Sequence, residues 1–395
     1  MLQNPNDDSR ARSALNIGLL GVTYLLYFGQ LGVLVPYLGV FLDGRGFTSE
    51  QIGELFALIT IARILGPNLW ASMADRSGKG LNILRLGSFL TFSTFSLVFF
   101  VEGFWGLTLS FALMMMFWTA ILPQLEVLTL NCVDGQANRY SRIRLWGSIG
   151  FILLTVAAGK AIDMFSSEAP IYASALVLLV LFLSTLFLTE TKTTQNENAE
   201  EGSIWTQVLT RPFLFFLLSA ALLQVSFGTY YGFFALYARD LGYSGQATGL
   251  FIALGVAAEI VIFLLAGKLI KLFGVKWILF ISIMVTAARW FLLGAAAELL
   301  WVIIISQIIH AFSFAMTHAA SVHFIHHFMG KAFQSRGQAI YISIGFGVGG
   351  ALGNYISGQM WHQGEGAFAS FIFSTAAAVL SALCLLCISS KKMKA

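Results

Sequence analysis

Apolar stretches of about 20 residues, long enough to cross a bilayer as helices, recur along the whole chain between short polar turns. The pattern predicts helices near 14–38, 51–73, 82–102, 105–131, 141–163 and 170–189. A second set is predicted near 212–237, 247–270, 276–297, 299–325, 337–361 and 367–388. The longest polar stretch, Glu190 to Arg211, lies between the sets and has almost no bulky apolar residue before Ile204. It reads as a solvated cytoplasmic linker between a six-helix bundle at 1–189 and another at 212–395. The first apolar run, Ala14 to Leu38, is too long for a signal peptide and lacks a small-residue cleavage site, so it reads as the first span.

The two sets repeat. An offset of 196 residues places Gly46-Phe47-Thr48 on Gly242-Tyr243-Ser244, Gly53 on Gly249, Ala57 on Ala253 and Gly78 on Gly274. An offset of 195 places Ser148-Ile149-Gly150-Phe151 on Ser343-Ile344-Gly345-Phe346. A six-helix unit has been duplicated, an arrangement characteristic of transporters that rock around a midplane site.

Composition agrees with a membrane chain. Of 395 residues, 57% are hydrophobic and only 11% are charged, against roughly 25% in soluble proteins. The net charge of +4 gives no footing for nucleic-acid binding. Cys132, Cys384 and Cys387 lack the spacing of a disulfide framework or zinc site and read as small apolar fillers. With the N-terminus placed inside, 18 of the 23 Lys and Arg residues fall on cytoplasmic segments. The exceptions are Arg45, Lys160 and Arg239 near outer ends, and Arg63 and Arg289 within spans. This bias predicts twelve spans with both termini in the cytoplasm.

A charge at the centre of a span costs roughly 2.5–3.5 kcal/mol on insertion scales, so each one needs a reason. Counting 1.5 Å per residue puts Arg63, Glu259, Arg289 and His310 all roughly 16–20 Å into their helices, near the midplane. At the 196 offset Arg63 corresponds to Glu259, its opposite in sign. Glu259, Arg289 and His310 fall on three consecutive helices and read as a proton relay and anion-handling site bordering a water-accessible cavity. For Arg63 the alternative is a silent pairing that holds helices together.

Glu126 and Arg144 sit near facing ends of antiparallel helices, at depths where they could meet, with Trp146 offering a flat apolar face beside them. Here the alternative is that Arg144 only marks the inner side. Tyr24, Tyr27, Gln30, Trp118, Gln224, Tyr230, Tyr231 and Trp290 are candidate lining residues, with plain helix packing the alternative. After the second helix, Asp75, Arg76 and Gly78 form a turn with an acid able to accept N–H groups at a helix start; Lys271 lies in the matching segment of the second half. Together they read as a cytoplasmic gate. Gly345-Phe346-Gly347-Val348-Gly349-Gly350 has the spacing of a dinucleotide fingerprint but follows no strand, so close packing or bending of the eleventh helix is expected.

On these residues the chain resembles the major facilitator superfamily. Asp75-Arg76-Ser77-Gly78-Lys79 is similar to the signature between its second and third helices, although Ala71 stands where Gly is usual and Gly80 where a basic residue is usual. More narrowly it resembles the 3-phenylpropionate permeases, relatives of the lactose-permease-type proton symporters. The matching segments are Arg63-Ile64-Leu65-Gly66-Pro67-Asn68-Leu69-Trp70, Arg142-Ile143-Arg144-Leu145-Trp146-Gly147-Ser148, Ala258-Glu259-Ile260-Val261-Ile262-Phe263, Arg289-Trp290 and Gln307-Ile308-Ile309-His310. The resemblance implies that Glu126 and Arg144 contact substrate and that Arg289 and His310 belong to the coupling network. Ser313 stands where those permeases have their proton-carrying glutamate, which makes Glu259 the expected substitute.

The fold expected is all-α, two pseudo-symmetric six-helix bundles. The function expected is proton-coupled symport of a small organic solute by alternating access in the bacterial cytoplasmic membrane. An aromatic monocarboxylate is the first candidate and a sugar or nucleoside the alternative. Substrate is expected at Arg63, Glu126, Arg144, Trp146, Tyr27 and Gln224, and the proton at Glu259, Arg289 and His310. A monomer in lipid is expected, driven by the proton gradient without cofactor or metal. No zinc-protease, nucleophile-elbow or phosphate-loop motif supports an enzyme.

Overall fold

The computed structural model describes residues 5–77, 79–189 and 203–393. They are almost wholly helical, with no strand among them. Eleven stretches are long and apolar enough to span a bilayer. In chain order with one further helix, they are α1 (Leu15–Leu34), α2 (Ser49–Ser77), α3 (Gly80–Phe99), α4 (Gly103–Cys132), α5 (Ala137–Met164) and α6 (Ala169–Phe187). The second six are α7 (Arg211–Asp240), α8 (Gly245–Phe273), α9 (Val275–Ala296), α10 (Leu300–Gly330), α11 (Phe333–Gly364) and α12 (Ala367–Leu386). The further helix is α2, 29 residues long, whose Glu50, Glu54, Arg63, Asp75 and Arg76 dilute its hydropathy. Much of the linker read from sequence, 190–202, lies outside the described residues.

The helices expose large apolar side chains around their perimeter, among them Leu65, Leu153, Leu264, Leu272 and Phe187. In water that surface would be a liability; in lipid it is the solvent-facing side. Phe100, Trp105, Phe165 and Trp301 are exposed close to helix ends, where aromatic residues suit the headgroup region. Cys132, Cys384 and Cys387 are all free thiols.

The chain packs as two compact units, residues 1–41 with 62–196, and residues 42–61 with 197–395. In the first unit α1 lies on α5. Added Cβ atoms at Gly29, Gly32 or Gly150 would strike Leu154, Phe151 or Leu25, so small residues let these backbones touch. Thr23 shares a hydrogen bond with Ser184 at 3.1 Å, joining α1 to α6. Arg85 donates to the carbonyls of Thr185, Leu186 and Leu188, filling the unsatisfied end of α6. Trp70 Nε1 donates to Met116 O at 3.0 Å and ties α2 to α4.

The second unit repeats these devices. Ser219 and Ser381 share a bond at 3.1 Å, joining α7 to α12, at offsets of 196 and 197 from Thr23 and Ser184. Lys276 donates to the carbonyls of Leu386 and Ile388 and so closes α12 as Arg85 closes α6. Gly349 and Gly353 press on the backbones of Ala221 and Val225. Those two correspond to Leu25 and Gly29 at the 196 offset, which makes Gly150 the packing counterpart of Gly349. The sequence match had paired Gly150 with Gly345. The difference is about one turn, and Gly345 and Gly349 both lie in the π-helical stretch Ile342–Gly349. The glycine-rich segment thus packs α11 closely on α7.

Residues 42–61 also belong to this second unit. Gly53 meets Gly358 backbone to backbone, Ser49 accepts from the Gln363 amide at 2.8 Å, and Arg239 pairs with Asp43 and Asp240.

Candidate functional site

The second unit brings Glu259, Arg289 and His310 into one chain of contacts. Each comes from its own helix, α8, α9 and α10, near its middle. Arg289 Nη1 is 2.9 Å from His310 Nδ1, and His310 Nε2 is 2.9 Å from Glu259 Oε1. A guanidinium can only donate, so Nδ1 must be the accepting nitrogen. The ring proton therefore sits on Nε2 and is donated to the Glu259 carboxylate. In this arrangement the imidazole is neutral, and one positive and one negative group face each other across it.

The surroundings hold that geometry. The Arg289 guanidinium carbon lies 4.3 Å from the ring centroids of both Tyr230 and Trp290. Such contacts are worth ~2 kcal/mol or more when desolvated. The Tyr230 hydroxyl donates to Gln307 Oε1 at 2.6 Å, Gln307 Nε2 donates to Ser306, and Trp290 Nε1 donates to Ser226 at 3.1 Å. A Cβ at Gly255 would stand 3.3 Å from His310 Cδ2, so the absence of a side chain there lets α8 approach the imidazole. Just beyond His310, Phe312–Met316 is π-helical, an irregularity common at functional sites.

Burial is graded. Arg289 is 0% exposed and His310 6%, while the Glu259 side chain is 14% exposed. The most open member of this chain of contacts is thus its carboxylate. At the sealed end, Arg289 Nε and Nη2 make no hydrogen bond of ordinary geometry, with the Tyr230 hydroxyl beside the guanidinium. Ser313 is fully buried, and its hydroxyl bonds its own helix at Ile309 O.

The first unit is looser. Glu126 accepts from the Tyr140 hydroxyl at 3.3 Å, and the Arg144 guanidinium rests 3.8 Å over the Phe28 ring and 5.7 Å from Tyr24. Among the described residues no ion pair joins Glu126 to Arg144. Trp146, 49% exposed, lies against Gly21, and Tyr27 stacks on Trp118 at 4.2 Å. Arg63 is exposed. Both amide atoms of Gln30 are buried without partners.

Of the remaining candidates, Gln224 is buried in a small recess with Ser321 and Tyr341. Lys271 is exposed in the last turn of α8. The side chains of Asp75 and Arg76, and all of Gly78, lie outside the described residues.

Sequence reasoning gave no role to Gln307, Phe28 or Tyr140. A signal existed for Gln307, which precedes His310 by three positions and so shares its helical face. Phe28 and Tyr140 carried none, because their contacts bridge residues distant in sequence or turn on which side of a helix faces a neighbour.

The chain matches the MFS_1 like family over residues 18–373. It is 31% identical over 363 residues to the "Probable 3-phenylpropionic acid transporter" of Escherichia coli (strain K12), covering 88% of this chain and 92% of that protein. It is 25% identical over 382 residues to the maltose permease of Geobacillus stearothermophilus, covering 94% of each. In fold it is similar to the crystal structure of a point mutant of the nucleoside transporter NupG, with a TM-score of 0.84 at 17% identity, covering 94% of this chain and 99% of that one. The helical fold, the family match and the relatives lead to one statement: the chain belongs to the MFS_1-like family of the major facilitator superfamily, and is a multi-pass membrane transporter, not an enzyme.

Proposed function

We propose that the protein is a proton-coupled symporter for a small aromatic monocarboxylate such as 3-phenylpropionate. It works by alternating access in the bacterial cytoplasmic membrane, as a monomer with both termini inside, and the proton gradient is its energy source. The observation that carries this reading is the Arg289–His310–Glu259 chain. Its hydrogen-bond direction leaves one good landing place for a proton. His310 Nδ1 already faces a permanent donor, so adding a proton there would break that bond and place two cations together. Glu259 can accept a proton on its carboxylate and become neutral, and it is the most accessible member of the chain.

The 31% identity to a protein named for 3-phenylpropionic acid supports the solute class. The first unit supplies aromatic surface for such a ring on the exposed face of Trp146, while Tyr27 and Trp118 stack on each other in buried positions. Arg63, Glu126, Arg144 and Gln224 complete the proposed contacts, and the segment around Asp75, Arg76, Gly78 and Lys271 the proposed inner gate.

The test is uptake of radiolabelled 3-phenylpropionate into proteoliposomes under an inward proton gradient. The expected result is accumulation that a protonophore abolishes, with Glu259→Gln losing accumulation but keeping exchange. Accumulation of maltose or a nucleoside in its place would move the substrate to the alternative class. Full gradient-driven uptake by Glu259→Gln would remove the carrier assignment.

A further inference from the structure

We infer that the Nε–Nη2 edge of Arg289 is the receptor for the substrate's carboxylate, which takes the place of Glu259 as the guanidinium's counter-ion when Glu259 is protonated. This rests on the symport reading above and assigns its anion site and its stoichiometry.

Three observations converge on that edge. First, Arg289 is wholly buried, yet Nε and Nη2 make no hydrogen bond of ordinary geometry, the Tyr230 hydroxyl standing beside the guanidinium without closing that edge. An unpaired buried donor is destabilising, and the more so when it is charged. Second, Nε and Nη2 lie on one side of the planar group. That side presents two parallel N–H bonds, the fork that a carboxylate fills with both oxygens. Third, the remaining contacts are already taken: Nη1 by His310, and the guanidinium carbon by the Tyr230 and Trp290 rings. Arg144 in the first unit offers no comparable arrangement, since its guanidinium sits over Phe28 and has no buried, unpartnered edge.

Charge balance then links proton to solute. The relay holds one cation, Arg289, and one anion, Glu259, through a neutral imidazole. Adding a carboxylate to this buried set would leave an excess negative charge in a medium that opposes it. Adding a proton to Glu259 removes that excess, converting carboxylate to carboxylic acid. The loaded site again holds one cation and one anion, with the substrate as the anion. Proton and carboxylate therefore enter together, one of each, and the cycle moves no net charge. The titratable and charged groups that face Glu259 and Arg289 are His310 and His318 of α10 and Tyr230 and Tyr231 of α7. The edge is closed in this conformation, so filling it requires the relay to part, from the Glu259 end where exposure is greatest.

The experiment uses the purified full chain with 3-phenylpropionate and its neutral isostere, 3-phenylpropionamide, as probes. Side-chain Nε of arginine is labelled with 15N, and the Arg289 resonance is assigned by its loss in Arg289→Lys. The expected result is a shift of that resonance with the acid and none with the amide. Folded Arg289→Lys should bind the acid at least tenfold more weakly, because an ammonium cannot form the fork. Where Arg289→Lys does not fold, assignment by Trp290→Phe and Tyr230→Phe perturbation of the same resonance lets the native protein decide. On solid-supported membranes, gradient-driven uptake of the acid should produce no steady current and no response to an imposed potential. Saturable binding of the acid with an unmoved Arg289 resonance, unchanged affinity in Arg289→Lys, or a potential-dependent current would each overturn the inference while leaving proton-driven transport standing. Failure of the acid to bind at all would overturn both.

Discussion

The two units descend from one duplicated frame, and they treat buried charge in opposite ways. At the 196-residue offset the relay positions Glu259, Arg289 and His310 of the second unit correspond to Arg63, Ser93 and Met114 of the first. In the second unit these are three ionisable groups in a bonded line, two of them almost fully enclosed. In the first, Arg63 is exposed, Ser93 bonds its own helix at Phe89 O, and Met114 is a buried apolar filler. The frame itself is conserved in detail, down to the Thr23–Ser184 and Ser219–Ser381 bonds and the capping cations Arg85 and Lys276. A six-helix frame of this kind thus fixes where helices cross without fixing what chemistry sits at the crossing. One copy carries the ionisable line, and the other carries aromatic surface and loosely held cations.

That contrast can be broken at graded points. The largest effect belongs to the relay's open end: Glu259→Gln should reduce gradient-driven uptake by roughly 10²-fold or more, as loss of a proton-transfer group does. Arg63→Gln, its counterpart, should reduce it far less; equal losses would erase the distinction between units. His310→Ala should come next. It removes the group between a buried cation and its carboxylate, and breaking such a pair costs about 3–5 kcal/mol. A thermal melt in detergent should show a marked fall, and an unchanged midpoint would mean the chain is not cohesive.

A smaller effect is expected in the first unit. Arg144→Gln should weaken the apparent affinity for 3-phenylpropionate about tenfold, or ~1.4 kcal/mol, with coupling intact. Uncoupled leak through this variant would place coupling in the wrong unit. Smallest are the paired bonds of the frame: Thr23→Val and Ser219→Ala should each cost about 0.6 kcal/mol, the mean for such bonds between membrane helices. A large inequality between them would show that the copies do not share their packing.

The fold was largely readable because its determinants are local. The spanning runs each depend on neighbouring residues. That Glu259, Arg289 and His310 needed partners was readable too, because charge deep in a span is rare enough to stand out one residue at a time. What could not be read was direction and register. Which nitrogen of His310 bears the proton depends on Arg289 approaching from another helix. The pairing of Gly150 with Gly349 in place of Gly345 depends on which backbone each glycine meets on a neighbouring helix, which residue identity does not report. Glu126 and Arg144 lie at similar depth, as counting along their helices indicates. Their rotation about the helix axes sends one toward Tyr140 and the other over Phe28.

Coupling, as proposed, turns on Glu259 as the group that takes the proton when solute binds. The direct measurement is the proton uptake of purified protein in weakly buffered solution on addition of saturating 3-phenylpropionate, followed with a pH-sensitive dye. The wild-type protein and Arg63→Gln should each take up about one proton per bound solute, as the charge balance of the buried site requires, and Glu259→Gln should take up none while still binding. Undiminished proton uptake by Glu259→Gln would contradict the account.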